Sequence, residues 1–355
     1  MTALRGPVSG KASPTFLRGV IYPRLGASSR ELLAGPGIGI DNAVLRLEGR
    51  KVLVSTTDPM SMIPAVGAKG SAWLSFHLIA SDFTTSGFSP RYGIFDFNLP
   101  MRMTDSTFET YWRTLHEECR RLGVSIIAGH TGRYEGCDYT IIGGGVMMSA
   151  CPRNRYLTSA MAKEGDDIVL TKGAAIETTA ILTRSFPRRV RRILGQRLFQ
   201  KAWDYLRKVS TVEDSLSAAS VGLRERGVTA MHDATEGGVI SALLELAEAS
   251  QLGLKLEVDQ IQISSETAEV CKLFHADPFT SLSEGSLVIA SRPFATSKVL
   301  KRLASKGLTS SVVGRLVSRS LGFYANSAKG TFRLHHPGED PYWKAYSRAI
   351  ARNWN

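Results

Sequence analysis

The chain is poor in cysteine, and its four cysteines form no pattern. Cys119, Cys137, Cys151 and Cys271 are scattered, without a CxxC pair or a Cys/His spacing. That excludes a zinc knuckle or a disulfide framework and leaves reduced core or surface thiols. No apolar run approaches the ~20 residues a membrane helix needs. The opening stretch MTALRGPVSGKASPTF has no apolar core of a secretory signal. A cytoplasmic protein without membrane contact is the expectation. Proline is scarce too, 14 residues in 355, and 43% of the chain is hydrophobic and 21% charged. Disorder, collagen and coiled coil are thereby excluded as main architectures. There is no short-period repeat and no GxSxG, HExxH or kinase signature. Two glycine runs mimic phosphate loops and fail. Gly6–Ala12 has three residues between its glycines where four are needed, and no Ser or Thr follows Lys11. Gly35–Gly39 leads into a strand rather than a helix.

Negative charge is the minority sign: 44 Lys and Arg stand against 32 Asp and Glu, a net +12. Such a balance suits phosphate-rich ligands or an anionic surface and says nothing about fold. Its densest cluster is Arg184–Arg197, with Phe186, Phe199, Trp203 and Tyr205 in or near it. This reads as a solvated helical face whose apolar side packs on the domain, so nucleic acid is not expected as a partner.

At roughly 150 residues per domain the length predicts about two domains. Residues 1–30, rich in Gly, Ser and Pro at the start, read as a flexible arm and a first helix. Residues 31–155 and 156–345 read as two domains, divided at the polar stretch CPRNRYLTSAMAKEGD. Alternating β-branched runs over Ala43–Leu47 and Lys51–Thr56 predict a hairpin. Helical spacing predicts helices over Ala72–Ser86 and Asp105–Leu122, the latter with Thr104 as its cap. Arg91–Asn98 reads as a strand, and Val124–Ala128 and Tyr139–Met148 as buried strands. In the second half strands near Asp167–Thr171, Thr229, Leu254–Val258, Leu287–Ala290 and Ser310–Val313 alternate with helices. The mixture implies α/β or α+β layers.

The residues with chemistry are acids at the ends of apolar segments. Asp41 follows the turn GPGIGI, Asp58 follows the strand VLVSTT, and Asp82 sits late in an apolar helix. Singly, each reads as an ordinary cap or turn residue. Together, three carboxylates offer the hard oxygens that magnesium takes alongside substrate phosphates. His130, in AGHTG, follows an apolar strand between small residues. Taken singly, it reads more often as a hydrogen-bonded structural histidine than as a functional one. In MHDATEGGV a helix start with Thr235, Gly237 and Gly238 offers either simple capping or free N–H groups for an anion.

In this order the segments resemble the AIR synthase (PurM-like) superfamily, nearest to its hydrogenase-maturation branch, HypE. Asp82–Pro90 (DFTTSGFSP) is similar to the superfamily's DxxxxGAxP signature, with Phe88 where Ala is usual. GIGIDNAVL resembles DDAAVL, AGHTG resembles a glycine-acid/His-Thr segment, and MHDATEGGV resembles DATRGG with Glu236 in place of Arg. LFHADPFTSLSEG resembles a DPxxxxxEG segment through Asp277, Pro278, Glu284 and Gly285. The resemblance implies two α/β domains, the N-terminal one contributing strands to an intersubunit barrel in a homodimer. It implies an ATP-dependent enzyme that phosphorylates an oxygen of an amide, carboxyl-like or small-metabolite substrate with ATP–Mg2+, the substrate being free or protein-borne. Asp41, Asp58 and Asp82 would organise metal and nucleotide, with Gly87 in the nucleotide signature. His130 and Thr131 would contact phosphate or position the nucleophile by hydrogen bonding. Asp233, Thr235, Gly237 and Gly238 would form the second-domain wall, with Asp82, His130 and Asp233 the catalytic candidates. The branch carries a C-terminal Cys, whereas this sequence ends ARNWN and its last cysteine is Cys271. A maturation partner acting through protein binding, or a catalytically silent nucleotide-binding module, are the alternatives.

Overall fold

Every second side chain of the segment Lys51–Thr56 is buried (Val52, Val54, Thr56), as in a strand with one face on a core. Around it the computed structural model, which describes residues 10–354, builds a six-stranded sheet. Its strands are β1 (Leu32–Ala34), β2 (Ala43–Arg46), β3 (Lys51–Ser61), β4 (Tyr92–Pro100), β5 (Ser125–Tyr134) and β6 (Ile141–Pro152), in the order β1-β2-β3-β6-β4-β5. The predicted hairpin is the β2–β3 pair. A short α1 (Pro14–Phe16) runs on as a π-helical turn to Ile21. α2 (Gly67–Thr84) and α3 (Asp105–Leu122) follow. The α3 boundaries match those expected: Thr104 accepts from the Thr107 amide at 3.2 Å, and Gly123 closes the helix at φ 76°.

α2 is apolar almost all round. Ala72, Phe76, Ile79, Ala80 and Phe83 fill the first core, while Leu74 enters a second cluster with Ile176, Phe199 and Leu206. A helix buried on several faces is held between layers, so α2 ties the two halves together. Phe83 is fully buried, and truncating such a side chain to Ala costs about 3–5 kcal/mol.

The second half comprises β7 (Asp167–Thr171), α4 (Ile176–Ser185), α5 (Pro187–Trp203), α6 (Val212–Ala219), β8 (Val228–Asp233), α7 (Gly238–Ala249), β9 (Gly253–Glu257), α8 (Ser265–Phe274), β10 (Leu287–Ser291), α9 (Pro293–Ala304), β11 (Ser310–Val317), β12 (Phe323–Ser327), β13 (Gly330–Arg333) and α10 (Pro341–Ala351). Its seven-stranded sheet runs β13-β12-β9-β11-β7-β10-β8. One face carries the cluster of Leu170, Val239, Leu243 and Leu254, and the other that of Val169, Met231, Ile289 and Leu303. β7, β8 and β10 therefore read as continuous apolar runs, because both their faces are covered.

One expectation is corrected. The segment expected as a buried strand, Val124–Ala128, belongs to the edge strand β5, most of whose residues are exposed. Ile127 and Tyr134 are 53% and 43% exposed. The apolar pattern is genuine, but among the described residues no strand or helix covers it. Residues 1–9 of the expected arm, including most of the Gly6–Ala12 run, lie outside the described residues.

Candidate active site between the two halves

The GPGIGI turn brings Asp41 against the second half. At φ 69°, a Cβ added to Gly39 would lie 2.8 Å from the Glu245 Cβ and 3.0 Å from its carbonyl oxygen. Only glycine allows this approach of the turn to α7. The adjacent Asp41 Oδ1 meets His232 Nδ1 at 2.7 Å, and His232 Nε2 meets Glu245 Oε2 at 2.9 Å. All three are largely buried. Burial alone would lower the His232 pKa, but the carboxylates of Asp41 and Glu245 hold it at about 10. The ring is an imidazolium with both nitrogens donating.

The other acids gather around this bridge. Asp58 comes from β3, Asp82 from the last turn of α2, Asp233 from the end of β8 and Glu284 from the loop before β10. Burial raises Asp58 to about 7, with Lys11 pulling the other way. Burial also raises Asp233 to about 6, the neighbouring Asp41 adding to it. Asp82 and Glu284 rise well above the usual carboxylate range, first by burial and then by the charges of Asp233 and Asp58. Lys11 stands among them, its amine donating to Thr235 Oγ1 and its backbone amide to Glu236 Oε2 at 2.7 Å. Desolvation opposes its charge, yet Glu245, Glu284, Asp82 and Asp233 raise its pKa overall.

A hard divalent cation fits this chemistry. Asp41 Oδ2, both carboxylate oxygens of Asp233 and Glu284 Oε2 are buried without a hydrogen-bond partner. Clustered carboxylates that raise one another's pKa are stabilised by an oxygen-loving ion. Ligand atoms of Asp41, His232 and Asp233 lie within 4.8 Å of one another. His232 is nevertheless unsuited as a ligand, because a protonated ring with both nitrogens engaged has no lone pair to give.

The remaining candidates divide. Thr235 holds the Lys11 amine, and Asp233 is buried in the acid cluster. Gly238, at φ 66°, is buried so closely that a Cβ would meet the Phe279 carbonyl at 2.5 Å. The Gly237 amide is not free for an external anion, since it donates to Asp340 Oδ2 at 2.8 Å. Gly87 turns the chain after α2 at φ 84°, packed against Leu223. His130 and Thr131 are exposed on β5, and His130 Nε2 lies 2.7 Å from Tyr134 Oη. β5 is three strands from β3 in the sheet, about 14 Å at the usual strand spacing. Within one chain these two residues stand apart from the acids.

Sequence reasoning missed His232, Glu245 and Asp340 as participants and discarded Lys11 with its false phosphate loop. Glu284 was visible only as part of the resemblance. For His232 the adjacent Asp233 was a signal. Glu245 and Asp340 gave none, because their partners are brought together only by the tertiary fold.

Comparison with known proteins agrees with this architecture. Residues 39–147 match the family model "AIR synthase related protein, N-terminal domain", and residues 163–325 match "AIR synthase related protein, C-terminal domain". A Methanocaldococcus jannaschii protein named for hydrogenase expression and formation is 24% identical over 96% of this chain and 98% of its own. Carbamoyl dehydratase HypE of Escherichia coli is 27% identical over 84% of this chain and 86% of its own. A crystal structure of E. coli HypE superposes with TM-score 0.68 at 24% identity, covering 81% of this chain and 87% of that one. The structure of AaThiL complexed with AMPPCP and TMP gives TM-score 0.66 at 15% identity over 86% and 92%.

Proposed function

This chain belongs to the AIR synthase related family, and from that premise we propose that it is an ATP-dependent enzyme that phosphorylates an oxygen of an amide, carboxyl-like or small-metabolite acceptor. The observation that carries the reading is the convergence of Asp41, Asp58, Asp82 and Asp233 from both halves, with unpartnered oxygens turned on one another beside Lys11. So many buried acids are costly unless a cation and a polyphosphate complete the site. The names of the relatives support the nucleotide: one structural neighbour holds AMPPCP, and HypE is named a dehydratase of a carbamoyl group.

Asp41, Asp58 and Asp82 would hold Mg2+, whose charge offsets that of the phosphates when bound. Lys11 supplies a fixed positive charge beside the transferred phosphoryl group, and Thr235 orients it. Asp233 takes the acceptor's proton as the new O–P bond forms and the bond to the β-phosphate breaks, releasing ADP. His232 holds Asp41 in place from behind. Catalysis rests on positioning and charge neutralisation, without a covalent triad. The family expectation of a homodimer fits the uncovered edge of β5, and the roles assigned to His130 and Thr131 depend on that pairing. Magnesium-dependent ATP hydrolysis, measured for wild type and Asp82→Asn, tests the reading. Loss of turnover by about a hundredfold or more in the variant is expected. Absence of magnesium-dependent ATP binding in wild type would overturn it.

A further inference from the structure

A second cavity, of about 530 Å³, lies at the junction of the two halves and contains none of the cleft acids. Trp73 and His77 of α2 form one wall, their ring centroids 4.2 Å apart and tilted by 35°. At 100° per residue these two positions lie about 180° and 140° around α2 from Asp82, so the helix itself separates the cavity from the cleft.

The polar lining is asymmetric. His77 Nδ1 is engaged by Ser210 Oγ at 2.8 Å, and Lys172 is bound to the Ser210 carbonyl at 2.6 Å and to Asp214 Oδ2 at 3.0 Å. Asp214 is 1% exposed, and its other oxygen, Oδ1, is buried with no partner. Arg207 and Lys208 line the opposite rim, exposed, and among the described residues neither makes an ion pair with a carboxylate. Lys208 sits over the Tyr205 ring instead, at 4.0 Å. Both belong to a stretch, Arg184–Lys208, that holds nine basic residues against the single acid Asp204, a net +8 of the chain's +12. That field draws anions toward the cavity mouth. Glu118 and Glu213 also line the cavity, but Glu118 is held by His77 and Arg121 and Glu213 by Lys306. The site therefore offers an aromatic wall and unpaired cations at the rim, in a volume that suits one drug-sized ligand.

We propose that this cavity binds a free mononucleotide, the base against Trp73 and His77 and its phosphate on Arg207 and Lys208. No metal takes part, which distinguishes the site from the cleft. It gives the basic segment a role that the proposed ATP chemistry leaves open.

The test is titration calorimetry of the full chain with AMP in EDTA. One AMP per chain is expected, weakened about ten- to a hundredfold by the double charge reversal Arg207→Glu/Lys208→Glu and unchanged in Asp82→Asn. AMP should also quench tryptophan fluorescence, and Trp73→Phe should remove that quench. Both altered positions in the charge reversal are exposed, so the fold should persist, as circular dichroism would verify. No AMP binding in EDTA would overturn the proposal. So would binding that survives the charge reversal and disappears in Asp82→Asn, which would assign the nucleotide to the cleft.

Discussion

His232 Nδ1 and Asp41 Oδ1 lie 2.7 Å apart, a buried hydrogen bond that joins the end of β8 in one half to the glycine turn of the other. Because Glu245 holds the second ring nitrogen, removal of the imidazolium leaves two buried carboxylates facing each other. His232→Ala is expected to destabilise the protein by about 3 kcal/mol. His232→Gln, which can still donate one hydrogen bond, should recover part of the loss. Chemical denaturation of the three proteins at pH 7 checks this, and an unchanged midpoint in the alanine variant would refute the bridge.

The cleft acids imply an inverted pH dependence for the metal-free protein. Asp58 at about 7 and Asp233 at about 6 bind protons more tightly folded than unfolded. Between the unfolded carboxylate pKa near 4 and these values, the native state carries more protons, so stability falls as pH rises. His232, raised to about 10, acts in the same sense. Its contribution is complete below about 6.5 and is lost as pH climbs through the folded value. In EDTA the Tm should therefore be higher at pH 5 than at pH 8. Adding Mg2+ should raise the Tm at pH 8 and do little at pH 5. A Tm that rises from pH 5 to pH 8 in EDTA would contradict this account of the acid cluster.

The like-charge crowding also predicts the behaviour of a neutral replacement. Asp82 is pushed up by burial and by four surrounding acids. Asp82→Asn should raise the metal-free Tm at pH 8 by a few degrees, while lowering the Mg2+-dependent increment and ATP turnover. Such an exchange of stability for function is common at strained sites. Thermal shift in EDTA and in magnesium, set beside the hydrolysis rate, separates the two effects.

Much of this organisation was legible in the sequence because local patterns carried it. α3 announces itself by Thr104, an amphipathic stripe and Gly123. β2 and β3 are betrayed by alternation on either side of Glu48–Arg50. Asp41, Asp58 and Asp82 could be singled out since each follows a recognisable apolar element. Burial of β5 was misjudged for a physical reason: alternation and apolarity report that a strand wants cover, not whether its own chain provides it. The His232 bridge, the docking of Lys11 and the Asp340 contact depend on approaches across more than a hundred residues. No local propensity encodes these. α8, α10 and the β12–β13 pair also escaped, because short elements are fixed mainly by tertiary packing.

Asp340 closes the N-terminus of α7. Its Oδ2 accepts from the Gly237 amide at 2.8 Å and its Oδ1 from the Tyr342 amide at 2.8 Å, while the residue is 4% exposed. One carboxylate thus caps two helices. Asp340→Ala should cost about 1–2 kcal/mol through the lost caps. It should also uncover the Gly237 amide, so that inorganic phosphate raises the Tm of the variant more than that of wild type. Equal phosphate responses in the two proteins would show that the exposed amide does not suffice for an anion.

β5 is ten residues long, lies at the margin of its sheet and carries Ile127 at 53% exposure. Unpaired N–H and C=O groups beside exposed apolar side chains make a template for another strand, and natural sheets usually blunt such edges. The one cation on this strand, Arg133, is turned inward to Asp105 and the Met103 carbonyl, so little protects the edge from pairing. Wild-type protein should therefore sediment as a dimer. Ile127→Lys, which puts a charge at the centre of the strand, should sediment as a monomer with an unchanged circular dichroism spectrum. If His130 and Thr131 serve the nucleotide across that interface, the monomeric variant should lose ATP turnover while the acid cluster stays intact, visible as a retained Mg2+-dependent rise in Tm. A variant that is monomeric and fully active would confine the chemistry to one chain and leave both residues outside it.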